Sequence, residues 1–64
     1  MCEANAYLFK AGQEELILES VDVVEPETDN QFRLINIFNE QKIVKGRIKS
    51  MHLVEHKIVF EALP

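Results

Sequence analysis

The 64-residue chain has one cysteine, Cys2, and no tryptophan. A single thiol excludes an internal disulfide. A chain of this length buries only roughly 60% of the surface that its unfolded form exposes, so the remaining sources of extra stability are a metal or self-association. Glycine and proline are scarce, with two of each, too few for a disordered linker. No stretch approaches the run of about 18 apolar residues that spans a membrane. The N-terminus lacks the basic n-region and apolar h-region of a secretory signal, and Cys2 lacks the upstream hydrophobic segment that precedes a lipoprotein cysteine. A lone thiol without an export signal points to the reducing cytoplasm.

Basic residues are outnumbered 7 to 11 by acidic ones, for a net charge of −4. The imbalance is local. Residues 1–40 carry Glu3, Glu14, Glu15, Glu19, Asp22, Glu25, Glu27, Asp29 and Glu40 against Lys10 and Arg33. Residues 41–64 carry Lys42, Lys45, Arg47, Lys49 and Lys57 against Glu55 and Glu61. Net acidity disfavours non-specific nucleic-acid binding, while the basic last third leaves one candidate surface.

Helical periodicity is weak, and strand patterning runs throughout. Ala4, Ala6 and Leu8 alternate with Asn5, Tyr7 and Phe9, predicting a first strand over about residues 2–10 and a turn at Ala11-Gly12-Gln13. Leu16 and Leu18 alternate with Glu15, Ile17 and Glu19, and Val21, Val23 and Val24 continue the β-branched bias to Pro26, which is expected to end the segment. The stretch Ala11–Glu19 could hold at most a helical turn. A polar turn at Glu27–Asn30 precedes Phe32–Phe38, the most apolar strand. One parity of that strand gives Phe32, Leu34 and Phe38 and the other Ile35 and Ile37, so both faces are apolar. A small monomeric barrel needs only one buried face, and the second most simply packs on another copy of the chain, predicting a homodimer. Asn39-Glu40 is expected to turn the chain into a basic strand over residues 41–50, in which Gly46 marks a bulge or a barrel corner. Met51–Val54 and Lys57–Glu61 flank a tight turn at Glu55-His56. Residues 1–64 thus read as one small all-β domain, an antiparallel barrel or rolled sheet of about six to seven short strands.

Three sets of residues could carry function. Cys2 sits beside the α-amine of Met1 and two peptide nitrogens. A thiolate with amine and amide nitrogens suits a soft divalent ion, and in-plane nitrogens favour square-planar Ni(II) over tetrahedral Zn(II). The amine has an ordinary pKa of about 7.7–8.0 and is partly free to bind at neutral pH. Two chains meeting near their N-termini could share one site. On spacing alone, a lone strand cysteine is more often a small buried apolar residue. His52 and His56 match no zinc-finger spacing. Solvent exposure is the ordinary reading of each, and His56 as an additional ligand from a hairpin tip is the sharper one. Lys45, Arg47 and Lys49 share one strand face and could track the phosphates of single-stranded RNA, although lysines there commonly serve to discourage edge pairing. No Ser/His/Asp set, glycine-rich phosphate loop or paired-carboxylate motif suggests an enzyme.

Several segments together resemble a known family, the CooT-type small nickel-binding proteins. They are the Met1-Cys2-x-Ala4 start, Gly12…Leu16-x-Leu18-Glu19-x-Val21, Val24-Glu25-Pro26, Leu34-x-x-Ile37-Phe38-x-Glu40 and the His56–Glu61 ending. The resemblance implies a cytoplasmic homodimer of small β-folded subunits that binds Ni(II) through Cys2. It also implies a nickel storage or metallochaperone role, linked in some members to the maturation of carbon monoxide dehydrogenase. Some relatives are described only as predicted RNA-binding proteins, which matches the alternative based on Lys45, Arg47 and Lys49.

Overall fold

The computed structural model of the protein describes residues 3–62. Five strands follow one another in the chain: β1 (Ala4–Lys10), β2 (Gln13–Thr28), β3 (Gln31–Asn36), β4 (Gln41–His52) and β5 (Lys57–Ala62). They pair in sequence order and close into a barrel. Consecutive strands are antiparallel, and β1 and β5 close the ring in parallel. An up-and-down ring with an odd number of strands must close this way, because its first and last strands run in the same direction.

The all-β barrel agrees with the patterning, but the strand count is five where six to seven short strands are expected. Two long strands account for the difference, because each changes partner along its length. β2 pairs with β1 over Gln13–Val21 and with β3 over Val21–Thr28. β4 pairs with β3 over Gln41–Lys45 and with β5 from Gly46 onward. Gly46 is the predicted corner. Its φ is +156°, and a Cβ built there would run into the backbone carbonyl of Glu61, so only glycine lets β4 and β5 approach this closely.

Two segment ends differ from expectation. Pro26 does not end β2; it lies opposite Phe32, and the strand continues to Thr28. That half of β2 pairs with β3 only, leaving an edge where a residue without an N–H is tolerated. At the other boundary, β3 stops at Asn36, and Ile37 and Phe38 form a turn. Asn36 is the cause. It is 2% exposed, its Oδ1 accepts from the backbone N–H of Phe38 (3.0 Å) and Glu40 (2.9 Å), and its Nδ2 donates to the Glu40 carboxylate (2.8 Å). The side chain thus caps the turn from beneath, satisfying its own buried polar atoms. Ala11-Gly12 turns the chain as predicted, with φ of 54° and 79°. Positive φ at both central residues suits a two-residue hairpin turn. No helical turn forms within Ala11–Glu19.

Ala6, Val21, Leu34, Val44 and Phe60 form the buried cluster, with Leu8, Ile17, Leu18, Phe32 and Ile58 among the side chains packed against it. The rings of Phe32 and Phe60 lie 5.6 Å apart at 54°, a tilted arrangement favoured by the aromatic quadrupole. Every strand contributes to this cluster, so it positions both chain ends. Among the described residues no helix is long and apolar enough to cross a membrane.

Candidate metal centre

The two residues expected to ligate metal, Met1 and Cys2, lie outside the described residues. The structure does define where their segment enters the barrel. Ala4 lies opposite Val21 on one side. On the other, Asn5 donates its backbone N–H to the carbonyl of His56 (2.8 Å), and the parallel ladder runs on from Asn5 opposite Lys57. Asn5 Oδ1 in turn accepts from the backbone N–H of Ser20 (3.3 Å). Residues 3–5 are therefore held between the middle of β2 and the β4–β5 turn.

That turn spans Leu53–His56, and Glu55-His56 falls within it as predicted. It is closed by the Glu55 N–H on the His52 carbonyl (3.1 Å) and the His56 N–H on the Leu53 carbonyl (3.2 Å). His56 sits at φ +55°, a left-handed conformation in which histidine is enriched several-fold over most residues. Its imidazole points back to the chain start, with Nδ1 3.2 Å from the carbonyl oxygen of Glu3. A carbonyl only accepts, so Nδ1 is the donor in this contact. His52 has a different neighbour, its Nε2 lying 3.1 Å from Ser50 Oγ. The two histidines thus hydrogen-bond to separate parts of the chain.

Beside His56 is a groove of about 310 Å³ lined by Glu3, Ala4, Val21, Asp22, Val24, Leu53, Lys57 and Ile58 as well as the imidazole. Its walls are chiefly aliphatic, and the tip above them is exposed, with Leu53 at 75% and Val54 at 94% of full accessibility. Among the described residues no three His, Cys, Asp or Glu side chains come together in a set able to hold a metal ion. The placement of His56 was not legible from its spacing to His52. It follows from ring closure, which brings together residues 53 apart in the chain.

The cationic stripe is on one face, as predicted. Lys45, Arg47 and Lys49 are all exposed at alternate positions of β4. Arg47 Nε lies 3.3 Å from Glu61 Oε1, and the Lys49 ammonium is 4.8 Å from the centroid of the Phe9 ring. Two of the three cations thus already have partners on neighbouring strands. Lys57 pairs with Glu14 and lies 5.0 Å from the centre of the Tyr7 ring. Its hydrogen bond holds the Glu14 carboxyl below the usual range, and the same bond raises the Lys57 ammonium above its own.

A family model described as CooT, CO dehydrogenase accessory protein, matches residues 1–61. Among solved structures, the chain is similar to the crystal structure of a protein provisionally named CooT from Carboxydothermus hydrogenoformans. The two are 41% identical, with a TM-score of 0.88 over 98% of this chain and 100% of that one. No curated protein matches the sequence.

Proposed function

Since the chain belongs to the CooT family of CO dehydrogenase accessory proteins, we propose that it binds Ni(II) through Cys2 and passes the ion to that enzyme as it matures. The protein serves as an accessory factor and is not itself a catalyst. The observation that carries the proposal is a family match reaching back through residues 1 and 2, combined with the chemistry found there. A thiolate, its own amide nitrogen and the Met1 amine form adjoining chelate rings of soft and borderline donors, a set suited to Ni(II). Nickel is here a cargo, and an ion held at a terminus can leave as well as arrive.

The proposed setting is the cytoplasm, where the thiol stays reduced, and the proposed state is a homodimer. Phe38 leaves β3 for the turn, and Arg33 on the outward row of β3 is engaged by Glu25 (3.0 Å) and Glu27 (3.4 Å). What favours a second copy is the exposure of large apolar side chains at and after that turn, Ile37, Phe38 and Ile43 at 40%, 70% and 49%.

Titration of the untagged protein with Ni(II) tests the proposal by the thiolate-to-metal charge-transfer absorption. Binding by the parent and its loss in Cys2→Ser are expected. A Cys2→Ser protein that binds nickel as tightly as the parent would refute it. Sedimentation equilibrium with and without nickel reports the oligomeric state, and a monomer under both conditions would refute the dimer.

A further inference from the structure

We propose that the open edge of the first half of β2 takes up an extended segment of a partner protein, one in which apolar residues alternate with lysine or arginine. β2 has a single neighbouring strand along most of its length. Its second half pairs with β3 alone, and Pro26 stands in it. Its first half, Gln13–Glu19, pairs with β1 alone. Backbone groups of a strand point alternately to its two sides, so those of Gln13–Glu19 that turn away from β1 meet no other strand among the described residues. The open edge ends at Ser20, whose carbonyl accepts from the Ile37 N–H (3.1 Å). This half holds no proline, and β2 as a whole holds no lysine, so two common devices that blunt an edge are missing. A register shift at Leu16–Leu18, opposite Tyr7 and Ala6, bends the strand and keeps the added segment short.

A groove of about 420 Å³ lies between this edge and the turn after β3, lined by Leu16, Leu18, Glu19, Phe38 and Glu40 among others. Leu16 and Phe38 are largely uncovered, at 45% and 70% exposure. Strand addition draws affinity from main-chain hydrogen bonds and specificity from pockets for alternate side chains, and an open edge beside an apolar groove offers both. Charge then selects the occupant. Glu19 and Glu40 line the groove, and among the described residues no lysine or arginine does. Elsewhere on β2, Glu14 pairs with Lys57, and Glu25 and Glu27 pair with Arg33. Glu15 and Glu19, exposed on the open half, have no ion-pair partner among the described residues. A second copy laid on the same edge would bring two sets of carboxylates together, and like charges across a sheet destabilise it. A basic strand meets them with the opposite sign. The dimer proposed above draws also on Ile37 and Ile43, which do not line the groove.

The test adds hexapeptides to the full-length, isotopically labelled protein and follows its amide resonances. In one peptide valine alternates with lysine, in a second with glutamate, and a third is the lysine peptide methylated on alternate backbone nitrogens. The lysine peptide should bind at least roughly tenfold more tightly than the glutamate peptide, weaken as salt is added, and shift the amides of Gln13–Ser20 and of Phe38–Glu40. The methylated peptide should lose binding, because it cannot complete a ladder. Glu15→Gln with Glu19→Gln, two exposed changes that leave the core intact, should weaken the lysine peptide and leave the glutamate peptide no worse. Equal affinity for the two charge types, shifts centred elsewhere, or full binding by the methylated peptide overturns the proposal, as does no binding by the lysine peptide. Shifts of the same Gln13–Ser20 amides on raising the protein concentration without peptide also overturn it, since they assign the edge to a second copy.

Discussion

Removing the Asn36 side chain should cost this barrel a large part of its stability. Asn36→Ala deletes three hydrogen bonds at once, two accepted from the backbone of Phe38 and Glu40 and one donated to the Glu40 carboxylate. A buried donor or acceptor left without a partner costs about 1–3 kcal/mol. Phe38 and Glu40 are exposed, so water can recover part of the loss at the two backbone N–H groups. The bond to the carboxylate is charge-assisted but partly solvated. The sum is about 2–4 kcal/mol. At about 0.05–0.15 kcal/mol per residue, a chain of 64 residues has only roughly 3–10 kcal/mol in total. The loss therefore corresponds to a fall in Tm of about 8–32 °C, at about 4–8 °C per kcal/mol in a domain this small. Urea denaturation followed by far-ultraviolet circular dichroism measures it, since the chain has no tryptophan. Asn36→Asp separates the bonds. It keeps the acceptor oxygen but sets a second carboxylate against Glu40, so its deficit should shrink as the pH is lowered and one carboxyl takes up a proton. An Asn36→Ala protein within about 0.5 kcal/mol of the parent, the range of ordinary surface substitutions, would refute the claim that this side chain holds the turn.

Two further outcomes test the barrel. Gly46→Ala should destabilise by about 2–4 kcal/mol, combining a disfavoured backbone conformation with a forced separation of β4 from β5, and a neutral result in the same denaturation assay would contradict the close approach. The Glu14–Lys57 pair should appear in the pH dependence of stability. Glu14 is held low by the Lys57 hydrogen bond, so its contribution is present above the ordinary carboxylate range and is lost as the pH falls through its lowered value. Lys57 is raised by the same bond, so its contribution is present at neutral pH and lost as the pH rises through its raised value. Lys57→Met should lag the parent between those limits and converge with it at both extremes, and a gap that does not vary with pH would refute the linkage.

Much of the barrel was legible because burial alternates with strand geometry. Ala6 and Leu8 point inward from β1 as their parity predicts, Ala11-Gly12 turns where the pattern breaks, and Gly46 stands where a corner was expected. The errors have physical causes. Ile37 and Phe38 continue an apolar run, and nothing in that run reveals that the preceding asparagine is buried and drawing the chain into a turn. Pro26 reads as a strand end unless it is known that β2 has only one neighbour there. Strand number was overestimated because a change of partner within one strand leaves the same alternation as two strands. The donors expected at Met1 and Cys2 lie outside the described residues. The nearness of His56 to Glu3 is a product of topology, and local spacing carries no trace of it.

The parallel seam between β1 and β5 has a consequence for how the protein is made. A chain leaving the ribosome presents β1 before β5, so the seam cannot be sewn until β5 has been made. The β1 edge stays open while β2 to β5 are made and is free to pair wrongly. Joining β1 to β5 pairs residues more than 50 apart in sequence, a long-range contact that predicts slow folding for so small a barrel. Truncation of even the last strand should leave an unclosed, aggregation-prone sheet rather than a slightly smaller barrel.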